Sequence, residues 1–203
     1  MKNRKWFVLG LSIIFLAITI LVKLNLLSSF DNFFYNIVAF NINDVMINIY
    51  KVITFLGSTT FIIAMCVFFL ILFIILKKKN YGFIVAGVVI ISTLVNNLIK
   101  IIIARERPLV TSFVTEHSYS FPSGHTMAAT TLYGILLYFV LKSNMNKKLK
   151  VILSIVLGLL PVLVALSRVY LGAHFMSDVI GAIIASTILL LLETYFIDKK
   201  NWI

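Results

Sequence analysis

The sequence is short of much that a soluble enzyme of its size is built from. Its 203 residues include one cysteine, three prolines and nine glycines. The one cysteine, Cys66, lies inside an apolar run, so an intramolecular disulfide and a CxxC metal or redox site are both excluded. Acid is scarce as well: seven Asp and Glu stand against 18 Lys and Arg, for a formal charge of +11. Of these acids only Asp178 is closely spaced with His125 and His174, which resembles no usual Zn or Mg cage, and neither a metal nor another cofactor is expected. No repeat of short period, low-complexity segment or linker interrupts the chain. What fills it is hydrocarbon: 61% of the residues are hydrophobic and the mean hydropathy is +1.07. That composition belongs to an integral membrane protein, read here as a single membrane domain over residues 1–203.

Six apolar runs reach or approach the roughly 20 residues that cross a bilayer. They extend over Trp6 to Leu27, Ser58 to Leu76, Tyr81 to Ile103, His125 to Leu141, Val151 to Ser167 and His174 to Phe196. The first exceeds the apolar region of a secretory signal and lacks a small-residue cleavage site, so it reads as an uncleaved span. Lys23 near its end is placed to snorkel to headgroups. Residues 28–57 differ. Phe30, Phe33, Phe34, Ile37 and Val38, and then Val45, Ile49, Val52, Ile53 and Leu56, recur at helical spacing, with Asp44 as the expected N-cap. They read as two short amphipathic helices at the interface, either covering a site or packing between spans. The expected fold is all-α, a six-helix membrane bundle with short amphipathic interfacial helices between spans 1 and 2.

The excess of positive charge has a position. With the N-terminus inside and six alternating spans, Lys2, Arg4, Lys5, Lys77, Lys78, Lys79, Lys142, Lys147, Lys148, Lys150, Lys199 and Lys200 all fall on the inner side, twelve of the 18 cations. The bias of Lys and Arg toward cytoplasmic connections then puts both termini in the cytoplasm, in a multi-pass protein of the cell membrane. No basic stripe lies on a polar, aromatic-studded surface, so nucleic acid is not the expected partner.

Three polar clusters at span ends fall on the opposite, extracytoplasmic side. The first is Lys100 with Arg107-Pro108, the second Phe121-Pro122-Ser123-Gly124-His125, and the third Ser167-Arg168 with His174 and Asp178. Ionisable groups near hydrocarbon are costly and mark function by default. Lys100, Arg107 and Arg168 suit an anion with several oxygens, such as phosphate, because Arg offers a planar fork and Lys a point charge. Pro122 to His125 stands where a loop becomes a helix, whose free amides face an anion. Ser123 adds a hydroxyl there, and Gly124 allows close approach of the backbone. His174 and Asp178 lie four apart, expected to stack on one face of the sixth helix. The carboxylate then holds one imidazole N–H and leaves the other nitrogen free as nucleophile or base. The chemistry that follows has His174 attack phosphorus and form a phosphohistidine. His125 protonates the leaving oxygen and then activates water, while the cations, Ser123 and the Gly124 amide hold the oxygens.

In this order, KxxxxxxRP, PSGH and SRxxxxxHxxxD resemble the three-part signature of the type 2 phosphatidic acid phosphatase superfamily. The resemblance implies a metal-independent membrane lipid phosphatase with a phosphohistidine intermediate and a helical core shared with vanadium haloperoxidases. It also implies functional roles for Lys100, Arg107, Ser123, Gly124, His125, Arg168, His174 and Asp178, which stand at the matching positions. A lipid phosphate drawn from the surrounding membrane lipids is the implied substrate. Undecaprenyl diphosphate comes first, ahead of phosphatidylglycerol phosphate and phosphatidic acid. A lipid phosphotransferase and a non-catalytic lipid transporter are the rivals; transport needs charge but not a nucleophile.

Several polar residues fall outside this scheme. His117, beside Glu116, reads as a loop histidine. Arg105 either pairs locally with Glu106 or makes a fourth phosphate contact. Asp31 and Asp44 read as helix caps, and Glu193 as an interfacial residue far from the chemistry.

Overall fold

The computed structural model describes residues 2–203, with side chains from Arg4 onward. Among the described residues the regular elements are eight helices. These are α1 (Lys2–Lys23), α2 (Ser28–Val38), α3 (Asp44–Phe55), α4 (Thr59–Ile75), α5 (Lys79–Ile103), α6 (Gly124–Lys142), α7 (Lys147–Tyr170) and α8 (Met176–Lys200). The helices α1, α5, α6, α7 and α8 are each long and apolar enough to cross a membrane. At 17 residues α4 falls short alone. Joined to α3 across a 41° bend, it makes a sixth candidate span. Residues 28–57 therefore divide: α2 stands apart, whereas α3 leads directly into a span.

Helix α6 is the axis of the bundle and packs against α4, α5, α7 and α8. Ala129, Leu132 and Ile135 on it are wholly buried, as expected where apolar residues recur on a helix surrounded by others. The periphery is reversed relative to a soluble protein. Ile13 and Leu16 on α1, and Leu94, Leu98 and Ile101 on α5, are exposed large hydrophobics, which hydrocarbon rather than water would cover. Helix α1 leans on α8, α3 on α7, and α2 lies against both α7 and α8.

Polar ties define the two ends. At one, Asp198 near the end of α8 meets Arg4 at 3.3 Å and Lys142 at 2.8 Å, and accepts a hydrogen bond from the Tyr138 hydroxyl at 2.7 Å. At the other, Lys23 Nζ donates to the Ile103 carbonyl at 3.1 Å, where snorkelling had been expected. The start of α1 and the end of α8 thus share an end, and the loop of residues 104–123 lies at the opposite one.

Three local expectations shift. The N-cap of α3 is Asn43, which accepts from Met46 N at 3.0 Å, and Asp44 is the first helical residue. An amide oxygen caps as well as a carboxylate, and an acid in the first turn still suits the helix dipole. Helix α7 continues through Tyr170, so Arg168 belongs to its last turn rather than to the loop. Helix α8 begins only at Met176, which leaves His174 in the turn before it. Gly172 makes that tight turn possible. Its φ is +69°, and a Cβ there would come 2.5 Å from the Thr111 carbonyl oxygen. The long loop lies directly on this turn, with Phe113 N donating to Leu171 O at 3.0 Å.

Candidate active site

Lys100 occupies the last turn of α5 and is buried, its ammonium donating to the carbonyls of Tyr119 and Ser120. The helix ends three residues later at Ile103, capped by Ala104 in the left-handed region. Arg107 is therefore a loop residue, not a continuation of the Lys100 face. Its guanidinium is held by backbone: Nε donates to Ser118 O at 2.8 Å and Nη1 to Ala173 O at 2.7 Å. These two bonds place Nη1 3.4 Å from His174 Nε2.

His174 is almost wholly buried. Its Nδ1 lies 3.4 Å from Asp178 Oδ2. The contact is not the stacking of two residues on a helix face, since His174 precedes the helix. Asp178 turns back toward the turn, accepting from Phe175 N at 3.0 Å as a first-turn acid does. It also accepts from the Ser120 hydroxyl and from Arg105 Nη1, the latter at 2.6 Å. With the proton on Nδ1 and directed to Asp178, Nε2 keeps its lone pair. Burial drives the His174 pKa down to about 4; Asp178 opposes this, and Arg168 and Arg107 add to it. The imidazole is thus neutral at pH 7, as a nucleophile must be.

A prediction follows from the sign of that shift. A free histidine titrates near ~6.5. Between that value and about 4, the unfolded chain holds a proton on residue 174 that the native protein lacks. His174 therefore supports the fold fully above the unfolded pKa, and its support is lost as pH falls toward the folded one. In labelled-histidine NMR, assigned by loss of the peak in His174→Asn, the His174 ring signal is expected to stay at its neutral position down to pH ~5. A midpoint near the free value would refute the buried, neutral assignment.

Pro122 to His125 begins α6 as expected. The Ser123 side chain is wholly buried and serves as the N-cap, accepting from Thr126 N at 3.5 Å and Thr126 Oγ1 at 3.0 Å. Its hydroxyl is engaged with the helix, while Gly124 and His125 reach the cavity. Arg168, also buried, donates from Nη1 to Thr54 Oγ1 at 2.9 Å and from Nη2 to Glu116. Glu116 joins the set from the loop. Its second oxygen lies 3.4 Å from Arg107 Nη2, and Oε1 is 3.7 Å from His125 Nδ1. Burial raises its carboxyl pKa, but Arg168, His125 and Arg107 outweigh this and hold it below the usual carboxylate range.

Six of these residues line one cavity of about 530 Å³. Lys100, Arg107, Glu116, Gly124, His125 and His174 line its polar end. Ile62, Ile63 and Val67 of α4 and Val89, Ile90 and Leu94 of α5 line much of the rest, interspersed with Thr59, Thr93 and Asn97. A charged head beside an apolar flank matches the chemistry of an amphiphile.

Sequence reading missed the contributions of Glu116, Ser120, Asp31 and Arg105. Asp31 is no cap: it is buried on α2 and bonded to Arg105 Nη2 at 2.7 Å and to Ser177 N and Oγ, each at 2.8 Å. Arg105 does not pair with Glu106; its two Nη atoms bridge Asp31 and Asp178. An acid on an amphipathic segment and an extra arginine beside a cationic motif were visible, but their meeting required the fold. His117 is assigned no role by the geometry. Glu193 lies at the far end, as expected, with both carboxylate oxygens buried and without partners.

The chain is similar to known proteins over most of its length. The sequence profile of the PAP2 superfamily matches residues 81–202. Phosphatidylglycerophosphatase B of Bacillus subtilis (strain 168) is 35% identical over 159 residues, covering 78% of this chain and 76% of that protein. A glucose-6-phosphatase catalytic subunit 1 from Haplochromis xenognathus is 32% identical over 90 residues, 40% of this chain and 31% of that one. The crystal structure of a transmembrane PAP2-type phosphatidylglycerolphosphate phosphatase from Bacillus subtilis superposes with a TM-score of 0.88 at 31% identity, covering 96% and 97% of the two chains. Aquifex aeolicus LpxE, at 20% identity and a TM-score of 0.62 over 80% of this chain and 93% of its own, shares the fold. With the profile spanning the bundle core and all three polar clusters, the chain belongs to the PAP2 superfamily and is a multi-pass membrane phosphatase.

Proposed function

We propose that the protein hydrolyses the terminal phosphate of membrane lipid phosphates through a phosphohistidine on His174, within a single membrane domain and at the extracytoplasmic face. One observation carries the reading. His174 Nε2 lies beside Arg107 while Nδ1 engages Asp178, at a cavity whose wall between α4 and α5 is largely apolar. In this scheme Nε2 attacks phosphorus and the bond to the lipid oxygen breaks. His125 gives its proton to that oxygen, and the substrate's own negative charge favours the imidazolium beforehand. His125 then takes a proton from water, which attacks phosphorus, breaks the P–N bond and frees phosphate. Lys100, Arg107, Arg168 and the Gly124 amide neutralise the oxygens throughout. Ser123 acts by fixing the start of α6. The side of the membrane rests on the distribution of lysine and arginine together with the position of the site at the end away from both termini.

The likeness to phosphatidylglycerophosphatase B moves phosphatidylglycerol phosphate ahead of undecaprenyl diphosphate, the first choice from sequence, with phosphatidic acid third. The test is phosphate release by purified protein in detergent with EDTA across these three lipids. Turnover undiminished by the chelator, and fastest on phosphatidylglycerol phosphate, is the expected result. Loss of turnover on chelation, or release from none of the three, would overturn the reading.

A further inference from the structure

The groups that would grip a phosphoryl group are not free in this state. The two oxygens of Glu116 contact three of them: Oε1 meets Arg168 Nη2 and lies 3.7 Å from His125 Nδ1, and Oε2 is 3.4 Å from Arg107 Nη2. Glu116 lines the cavity, whereas Arg168 behind it is 1% exposed. A ligand entering the cavity meets the carboxylate before it meets Arg168. The match is also incomplete. Arg168 Nε is buried with no hydrogen-bond partner, and a carboxylate has two oxygens for a pocket whose donors include two guanidinium groups, an ammonium and an imidazole.

We propose that Glu116 is a specificity-determining residue that occupies the phosphoryl position in the free enzyme and must be displaced by the substrate. This rests on the phosphatase reading above and adds a selection rule to it. A carboxylate carries one negative charge on two oxygens. A terminal phosphate or phosphomonoester carries up to two charges on three free oxygens, so it outbids the carboxylate for both arginines and has an oxygen left for Arg168 Nε. A phosphodiester carries one charge on two free oxygens, which equals the carboxylate, and it bears a second bulky substituent. It gains nothing by exchange. The site lies in a membrane crowded with phosphodiester headgroups, and an uncovered cationic pocket would fill with them. Glu116 keeps it clear for dianions. The long loop of residues 104–123 supplies the freedom to move, since Glu116 belongs to no helix.

The variants are Glu116→Gln, which keeps shape and removes charge, and Glu116→Asp, which keeps charge on a shorter arm. Each is assayed in mixed micelles for inhibition of lipid-phosphate turnover by orthophosphate and by phosphatidylglycerol, a phosphodiester. For Glu116→Gln the inhibition constant for orthophosphate is expected to fall roughly tenfold or more, the scale of a charge partner removed from a binding site. Phosphatidylglycerol is expected to become a competitive inhibitor of this variant and to remain inert toward wild type. Glu116→Asp falls between. An orthophosphate constant that is unchanged or higher in Glu116→Gln, or phosphatidylglycerol equally inert in both proteins, overturns the proposal. Should Glu116→Gln fail to fold, the Asp variant alone decides by whether its orthophosphate constant drops below the wild-type value. Failure of the phosphatase reading would appear separately, as absent turnover in the wild-type protein.

Discussion

Replacing His174 with alanine is expected to slow lipid-phosphate turnover by at least about four orders of magnitude, because the proposed phosphohistidine route then loses its nucleophile. That factor corresponds to ~5.5 kcal/mol of transition-state stabilisation or more. Asp178, Arg107 and the cavity remain, so binding of orthophosphate is expected to survive while turnover does not. A later step in the cycle gives a second readout. In the proposed scheme His125→Ala deprives the attack on phosphorus of its acid and the hydrolysis of its base. Where a good leaving group removes the need for the acid, labelled phosphate is expected to accumulate on protein. The label should be stable to alkali and labile to acid, as a P–N bond is. Near-normal turnover by His174→Ala would eliminate the nucleophile assignment outright.

Substituting Arg105 with alanine is expected to cost about 3–5 kcal/mol of stability, the range for stripping one partner from buried ion pairs. Arg105 Nη2 lies 2.7 Å from Asp31 and Nη1 2.6 Å from Asp178; both acids have wholly buried side chains. Its guanidinium also covers the Phe175 ring at 3.9 Å. Without it two carboxylates face each other in a dry site. Activity should fall with stability, because an Asp178 that takes up a proton no longer holds the His174 imidazole against its charge. Lysine at 105 should recover only part, since a single ammonium does not span both acids as a planar fork does. Asp31→Asn should be milder, about 1–3 kcal/mol, because Arg105 keeps its bond to Asp178. Thermal unfolding in detergent distinguishes the series: a drop in Tm of roughly 6 °C or more is expected for Arg105→Ala. A melting point unchanged from wild type would show that the bridge carries no stability.

The Arg105 bridge also explains the course of the polypeptide between the first two spans. Helix α2 was readable as amphipathic, but whether it covered the site or merely packed was open. Asp31 enters the interior on α2 and joins Ser177 and Arg105, the latter also bonded to Asp178. Segment 28–38 therefore supports the site from behind rather than lying loosely at the interface. Glu116 has a comparable history. In sequence it was only the neighbour of a loop histidine; in space it touches both Arg107 and Arg168.

Sequence alone was sufficient for the membrane character, for five of the six apolar runs as helices long enough to cross a membrane, and for the three polar clusters; the remaining run, α4, reaches that length only with α3. Those features are local. Apolar length is set by bilayer thickness, and ionisable side chains beside hydrocarbon stand out against a background of only 12% charged residues. Tertiary structure decided what depends on chain segments far apart. It turned Asp178 into a first-turn acid reaching back to a histidine outside the helix, assigned the Ser123 hydroxyl to capping, and brought Asp31 and Glu116 to opposite sides of the same site. The physical reason is that a lone acidic residue carries no periodic signal. Its partner is whichever cation the folded loop of residues 104–123 brings within a few ångströms, and no spacing along the chain encodes that distance.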